Sequence, residues 1–153
     1  MEFGRTLSRA QHLDDIAEGL PRRAALLSRL FLRHTALDVS RTEIGVLQAA
    51  SERHQRISDL AAGEGVSQPA TTLVVNRLAE RGWVIRQDDP TDGRVVLVEI
   101  TDAGHDAFNN IRAQYRALLH EEMASLDDES VEVLARAVEV LDELIERLTE
   151  RES

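Results

Sequence analysis

The chain has 153 residues, of which 42% are hydrophobic and only 3% aromatic, so it can bury an aliphatic core within one domain or one small domain plus an oligomerisation element. It contains no cysteine, which excludes disulfides, thiolate metal sites and cysteine nucleophiles. It carries neither an apolar run long enough for a membrane span nor the apolar stretch of a signal peptide, so we expect a cytoplasmic protein without a membrane partner.

The net charge of −10 lies entirely in the C-terminal third. Acids and arginines balance in residues 1–52 and again in residues 53–94, whereas residues 95–153 hold fifteen acids and five arginines. All 18 basic residues are arginine, whose fork of donors suits phosphate and guanine, although genome composition explains this bias equally well. The charge pattern therefore leaves the N-terminal and central parts able to meet nucleic acid.

The N-terminal region predicts two helical pieces. Residues 1–20 are expected to form a leading helix or an arm, because Gly19 and Pro21 interrupt the helical spacing that precedes them. A first long helix is predicted over residues 21–36, with Pro21 at its start.

A capping box begins the central region, because Ser40 is followed three residues later by Glu43. The helix that it starts should reach about Ser51, and "ERHQR" at 52–56 is expected to be a polar connector. Ser58 is predicted to cap the short helix that follows.

The segment "ISDLAAGEGVSQPATTLVVNRL" at 57–78 predicts a helix-turn-helix. Gly65 suits a left-handed turn, and Ser67 caps the second helix, which Gly82 ends. The outward stripe of that second helix is able to hydrogen-bond bases or phosphates and consists of Gln68, Thr72 and Asn76. Its inward stripe consists of Thr71, Val74 or Val75, and Leu78.

Two strands, Val84 to Gln87 and Val95 to Ile100, are predicted around a loop that contains Pro90 and Gly93. A hairpin directly after a candidate reading helix adds little to a core but offers a protruding tip. Arg94 at this tip is able to enter a minor groove or contact its phosphates, and Asp92 is placed to hold the guanidinium. The alternative is that Arg94 is a solvated turn residue.

Thr101 and Asp127 are predicted to cap two long helices within residues 101–153. In the last helix a heptad seam alternates spacings of three and four: Val131, Leu134, Val138, Leu141, Ile145 and Leu148. Such a seam can pack within one chain. Since the hairpin-bearing region has a core of its own, we expect the seam to join two chains.

Enzymatic readings find no support in the sequence. The five histidines are scattered without the spacing of metal ligands, and no glycine-rich phosphate loop is present. Capping and DNA contact explain Ser67 and Thr72 better than nucleophilic chemistry does. We therefore expect no catalytic site, metal or cofactor.

From Ser58 to Thr101 the chain resembles the MarR family of winged helix-turn-helix regulators. The family's wing signature, Asp-x-Arg, five residues, then Leu-Thr, stands here as Asp92, Gly93, Arg94, five residues, Ile100 and Thr101. "DLA" at 59–61, "SQPATTLVVNRL" at 67–78 and "RG" at 81–82 also fit, and the resemblance covers residues 21 to about 149. The pattern departs from the family at Leu73 and Gly93, where arginine is frequent, and at Trp83, where a smaller aliphatic is usual.

The resemblance implies a mainly α fold with a small β-hairpin wing. It places a winged helix-turn-helix lobe at 40–100 and a dimerisation region in the terminal helices, with 21–36 shared between the two. The residues expected at DNA are Ser67, Gln68, Thr72, Asn76, Arg77, Arg86, Asp92 and Arg94. The partner would be a pseudo-palindromic double-stranded site, because a dimer presents two reading helices about one turn of DNA apart.

The resemblance further implies a repressor that a small phenolic or other anionic ligand releases from DNA. The residues that would border the ligand cleft are Arg33, His34, Arg112 and Tyr115. The alternative function is a helical interaction module whose winged domain binds protein rather than DNA.

Overall fold

The computed structural model of the protein describes residues 8–151, which form six helices and three strands. In chain order they are α1 (Arg9–Arg33), α2 (Arg41–Glu52), β1 (Gln55–Arg56), α3 (Ile57–Glu64), α4 (Gln68–Glu80), β2 (Val84–Asp89), β3 (Asp92–Ile100), α5 (Asp102–Met123) and α6 (Asp128–Glu150). The chain divides into two compact units, Met1–Tyr115 and Arg116–Ser153. The predicted mainly helical fold with a small wing is confirmed.

Helix α1 is continuous where the sequence predicts a break. Pro21 lies inside it, and Ser8 starts it with a capping box: the Ser8 hydroxyl accepts from the Gln11 amide, and the Gln11 side chain accepts from the Ser8 amide. Proline removes one backbone donor, but the apolar positions keep a spacing of three and four across it, so both halves present the same face. The predicted boundary at 20–21 is therefore wrong, and the helix ends at Arg33 rather than Ala36. Residues 1–7 of the predicted arm lie outside the described residues.

The start of α3 also differs from its prediction. Ser58 lies within the first turn, the N-cap is Arg56, and no side chain caps the helix there. The reason is a short strand that the sequence pattern does not predict. Gln55 and Arg56 pair with β3 opposite Val98 and Leu97. The expected polar connector is thus β1, and the chain passes directly from strand to helix.

The three strands form an antiparallel sheet in the order β1-β3-β2. Strands β2 and β3 pair from Val84 opposite Ile100 to Asp89 opposite Asp92, with an irregularity between Asp88 and Asp89. Both strands run further toward the tip than predicted, so Gly93 belongs to β3 rather than to the loop. A long, narrow hairpin results, which is the wing.

One largely aliphatic core lies within the first unit. Its buried members come from α2, α3, α4, both wing strands and α5: Val46, Leu47, Leu60, Val74, Val75, Leu78, Val84, Val98 and Phe108. Burying such side chains provides most of the free energy of folding, at roughly 25 cal/mol per Å² of apolar surface. Because α4 and the wing share this core, their relative position is fixed by packing.

In the second unit, the Asp127 carboxylate caps α6 by accepting from the Ser130 amide at 2.7 Å, as predicted. The hydrogen bond lowers the pKa of Asp127. None of the residues of α6 is buried, and five of the six seam residues are exposed. Only Leu141 is partly covered. The apolar seam is therefore left open on this chain.

Candidate DNA-binding surface

The turn before α4 sets the direction in which this helix leaves the lobe. Gly65 adopts a φ of 64°, a left-handed conformation that costs glycine little. The Ser67 hydroxyl accepts from the Ala70 amide at 3.3 Å, so the predicted cap is confirmed. The Ser67 side chain is thus used by the cap. Gln68, the first residue of α4, is exposed to solvent.

The two faces of α4 separate as the sequence predicts. The buried face consists of Thr71, Val74, Val75 and Leu78. On the other side Gln68 is exposed, Thr72 is half-buried, and the Thr72 hydroxyl donates to the Gln68 carbonyl at 3.0 Å. The polar groups at the start of α4 are therefore presented outward from a fixed scaffold.

The wing presents Arg94 in a fixed orientation. Its Nε lies 3.1 Å from Asp92 Oδ1 and its Nη2 lies 3.4 Å from Asp92 Oδ2, so the guanidinium is held as predicted. The Arg94 side chain is nonetheless 91% exposed. Donation from the guanidinium and the amide of Arg94 lowers the pKa of Asp92. Asp92 is therefore ionised at neutral pH and holds the exposed Arg94 guanidinium at the wing.

A cleft of about 330 Å³ connects α4 with the wing. Gln68 and Thr72 line one side, and Arg94 with Val95 and Val96 lines the other. Arg56, Ile57 and Ser58 complete the wall. The structure thus brings the predicted residues Gln68, Thr72 and Arg94 together around one concave surface.

Arg56 is the cation of this cleft that sequence reasoning missed. Its Nη2 lies 3.6 Å from Asp89 Oδ2, which ties β1 to the tip of the wing. The Asp89 carboxylate is buried and accepts from the amide and the hydroxyl of Thr91, chiefly the latter, so its pKa is lowered. A strand of two residues has no periodicity, and no signal in the sequence places Arg56 beside Arg94.

Three other predicted residues make contacts within the lobe. Arg86 Nη1 donates to Asn76 Oδ1 at 2.7 Å, which joins β2 to α4. Arg77 Nε lies 3.6 Å from Oε1 of the buried Glu43, which joins α4 to α2. The second Glu43 oxygen accepts from the Ser40 amide, so this carboxylate both caps α2 and faces a cation of α4. These contacts brace α4 on two sides.

Trp83 packs at the base of the wing. It is partly buried against the core, and the Arg81 guanidinium lies 5.0 Å from the centre of its ring. The Trp83 carbonyl accepts from the Thr101 amide at 3.0 Å. These contacts explain Trp83 as a residue that packs under the wing.

A second cavity, of about 420 Å³, lies between α2 and α5 within the first unit. The residues that line it are Ile44, Gln48, Ser51, Glu52, Phe108, Ile111, Arg112 and Tyr115. Burial raises the pKa of Tyr115, whose ring packs 5.0 Å from that of Phe31. Arg112 and Tyr115 thus reach a cavity wall, whereas Arg33 and His34 are exposed at the end of α1 and do not line it.

Within the described residues, no three or more His, Asp or Glu side chains are grouped so that they could hold a metal ion. None of the helices between residues 8 and 151 is long and apolar enough to cross a membrane.

The lobe has the features of a winged helix-turn-helix protein: a short helix, a glycine turn, a reading helix, and a hairpin carrying a cation beside it. The family model for MarR matches residues 39–96. An HTH-type transcriptional regulator of Mycobacterium leprae is 30% identical over 122 residues, covering 79% of this chain and 85% of the relative. The chain therefore belongs to the MarR family of transcriptional regulators.

Two solved structures show the same fold. The transcriptional regulator BldR from Sulfolobus solfataricus aligns with a TM-score of 0.74 at 22% identity, covering 92% of this chain and 99% of the other. A MarR family protein from Bacillus stearothermophilus aligns with a TM-score of 0.71 at 20% identity, covering 91% and 99%. The Mycobacterium leprae relative is named as a transcriptional regulator, in agreement with the class of protein that the sequence predicts.

Proposed function

We propose that this protein is a dimeric, sequence-specific regulator that inserts the start of α4 into a major groove and rests its wing on the adjacent backbone. The observation that carries the proposal is the cleft in which Gln68 and Thr72 of α4 face Arg56 and Arg94. Hydrogen-bonding side chains on a helix next to a pair of cations are what base edges and phosphates require. We also propose that the protein acts in the cytoplasm.

The contacts suggest how the work is divided. Gln68 and Thr72 are exposed enough to meet base edges, whereas Arg94 would grip phosphates or enter a minor groove. Ser67 acts through its cap, and Asp92 acts through Arg94. The remaining predicted DNA contacts, Asn76, Arg77 and Arg86, also hold α4 in place through their bonds within the lobe.

The division of roles can be measured by fluorescence anisotropy on a site selected from random double-stranded DNA. Arg94→Ala is expected to weaken binding across many sequences, and Gln68→Ala to change which base is preferred. Arg53→Ala removes an exposed arginine outside the cleft and serves as the charge control. Failure of the unaltered protein to bind any duplex at low salt refutes the proposal in favour of a protein-binding module.

The proposed dimer rests on the open apolar faces of the terminal helices. Val138 in α6 and Ile16 in α1 are both more than half exposed on the single chain, in helices with no buried residue. A heptad seam exposed over a whole helix is stable only when a partner covers it. We propose that α6, with the rest of residues 101–153 and with α1, forms this interface, while residues 40–100 form the DNA-binding lobe.

The oligomeric state is tested by sedimentation. Val138→Asp is expected to give monomers, because it places a carboxylate in the middle of the seam. Arg136→Ala changes the net charge equally on the opposite side of α6, where Arg136 pairs with Glu139, and should leave the dimer intact. A dimer that survives Val138→Asp would rule out this seam.

We also propose that a small aromatic anion occupies the cavity between α2 and α5 and releases the DNA, so that the regulator acts as a repressor. The cavity has the volume of a small-ligand site, and its lining combines apolar side chains with Arg112 and Tyr115 and with the polar residues Gln48, Ser51 and Glu52. We propose that Arg112 offsets the carboxylate of Glu52 and leaves room for an anion near Tyr115. Release requires that the ligand prefer a conformation with a different spacing of the reading helices.

The proposed ligand is tested with a panel of phenols and aromatic carboxylates. Thermal shift measures their binding, and displacement of labelled DNA measures release. Arg112→Ala should abolish both responses, whereas Arg116→Ala, one turn further along α5, should not. In vitro transcription from the bound promoter distinguishes repression from activation. If no compound of the panel shifts the melting temperature or displaces the DNA, the ligand proposal is wrong, while the DNA-binding proposal is unaffected.

A further inference from the structure

The outward face of α4 carries one large apolar side chain without a partner. Leu73 is 65% exposed, and among the large hydrophobic residues of the lobe at 40–100 only Leu73 and Ile85 have exposed side chains. The other exposed large aliphatics lie in α1, α5 and α6 or in the turn between the last two. Leu73 therefore belongs neither to the core of the lobe nor to the terminal apolar faces.

The position of Leu73 on α4 places it beside the candidate DNA contacts. It directly follows Thr72, which lines the cleft with Arg94, and it precedes Asn76 by one turn. The buried residues Thr71, Val74, Val75 and Leu78 occupy the opposite side of the helix. Leu73 is not among the residues that line the cleft, so a duplex lying along α4 would meet it on the exposed face next to the cleft rather than inside it.

We propose that Leu73 selects thymine by packing against its C5-methyl group in the major groove, an inference that rests on the proposed function. Of the four bases only thymine presents a methyl group there, while the others present donors and acceptors. Leucine can neither donate nor accept a hydrogen bond. A polar base edge that it covers therefore loses its hydrogen bonds to water without gaining new ones, which costs free energy. The side chain therefore favours thymine and disfavours cytosine at one position of each half-site.

The test removes each methyl group separately. A site is first selected from random DNA with the unaltered protein, and each thymine is then replaced by uracil, which differs only in lacking the C5-methyl. Replacement at one position of a half-site should weaken binding about fourfold, the worth of one buried methyl-sized group. In Leu73→Ala the same replacement should have no effect.

Ile85→Ala is the matched control, because Ile85 is the other exposed large aliphatic of the lobe and lies on β2. It should retain the full sensitivity to uracil. Melting curves of both variants should match that of the parent, since neither side chain belongs to the core.

If every uracil replacement affects the parent and Leu73→Ala equally, the inference is wrong while DNA binding stands. If the parent selects a site whose half-sites contain no sensitive thymine, the inference is also wrong. If the parent binds no DNA at all, the proposed function fails, and the inference fails with it.

Discussion

Arg56 provides the sharpest quantitative prediction, because the sequence offers no reason to place it at DNA. If its guanidinium contacts one phosphate in each half-site, Arg56→Ala should release one fewer counterion per protomer. The slope of log K against log salt then falls in magnitude by about 0.9 per protomer, or about 1.8 for a dimer. Asp89, 3.6 Å away, neutralises part of the arginine's charge, so this value is an upper limit.

The assay is anisotropy titration of one duplex at several salt concentrations. Arg56→Lys keeps the charge and should keep most of the slope, whereas Arg53→Ala removes an exposed arginine outside the cleft and should leave the slope unchanged. The base preference should be the same in all three variants, because a phosphate contact carries no sequence information. Equal slopes for Arg56→Ala and Arg53→Ala would refute the assignment of Arg56 to the backbone.

Three further predictions concern the wing and its junction with α5. Thr101→Val should lower the free energy of unfolding by about 2 kcal/mol in urea titrations, because the hydroxyl donates to the Gly82 carbonyl at 2.6 Å and accepts from the Gly104 amide at 3.0 Å; a loss below measurement error would contradict this. Gly104→Ala should cost about 3 kcal/mol, since a Cβ there would collide with the Trp83 carbonyl, and an unchanged melting temperature would show that α5 shifts freely. Folding lowers the pKa of Asp89 through its bonds to Thr91, so the stability it contributes is complete above its unfolded pKa, about 3.9, and is lost as the pH falls through the folded value. Asp89→Asn should therefore weaken the acid dependence of unfolding below about pH 4, and an unchanged pH profile would oppose this cause.

The local signals of the reading helix were sufficient to predict most of its details. A cap depends on residues three apart, a left-handed turn depends on one glycine, and the buried face follows from the period of the helix. For these reasons Ser67, Gly65 and the inward stripe of α4 were all predicted correctly. The pairing of Asp92 with Arg94 is equally local, because the two residues are separated by one position.

Errors arose where a distant part of the chain, or a continuous face, outweighed a local signal. Pro21 is a strong local sign of a break, yet α1 continues through it. Ser58 looks like a cap, but the pairing of Gln55 and Arg56 with β3 starts α3 before it. At Ser58 a cap preference worth about 1 kcal/mol is outweighed by the pairing of β1 with β3. At Pro21 the penalty is larger, about 3 kcal/mol, and α1 nevertheless keeps one continuous apolar face across it.

The sequence alone determined the kind of fold, the reading helix and the wing with its cation, because the signals for each lie in residues close together along the chain. Only the tertiary structure decided which side chains share the cleft. Arg56 meets Arg94 there because strand pairing brings β1 beside β3, and Arg77 faces Glu43 because α2 packs on α4. Those contacts join segments that are distant along the chain, and their free energy depends on the whole packed core rather than on any neighbouring residues.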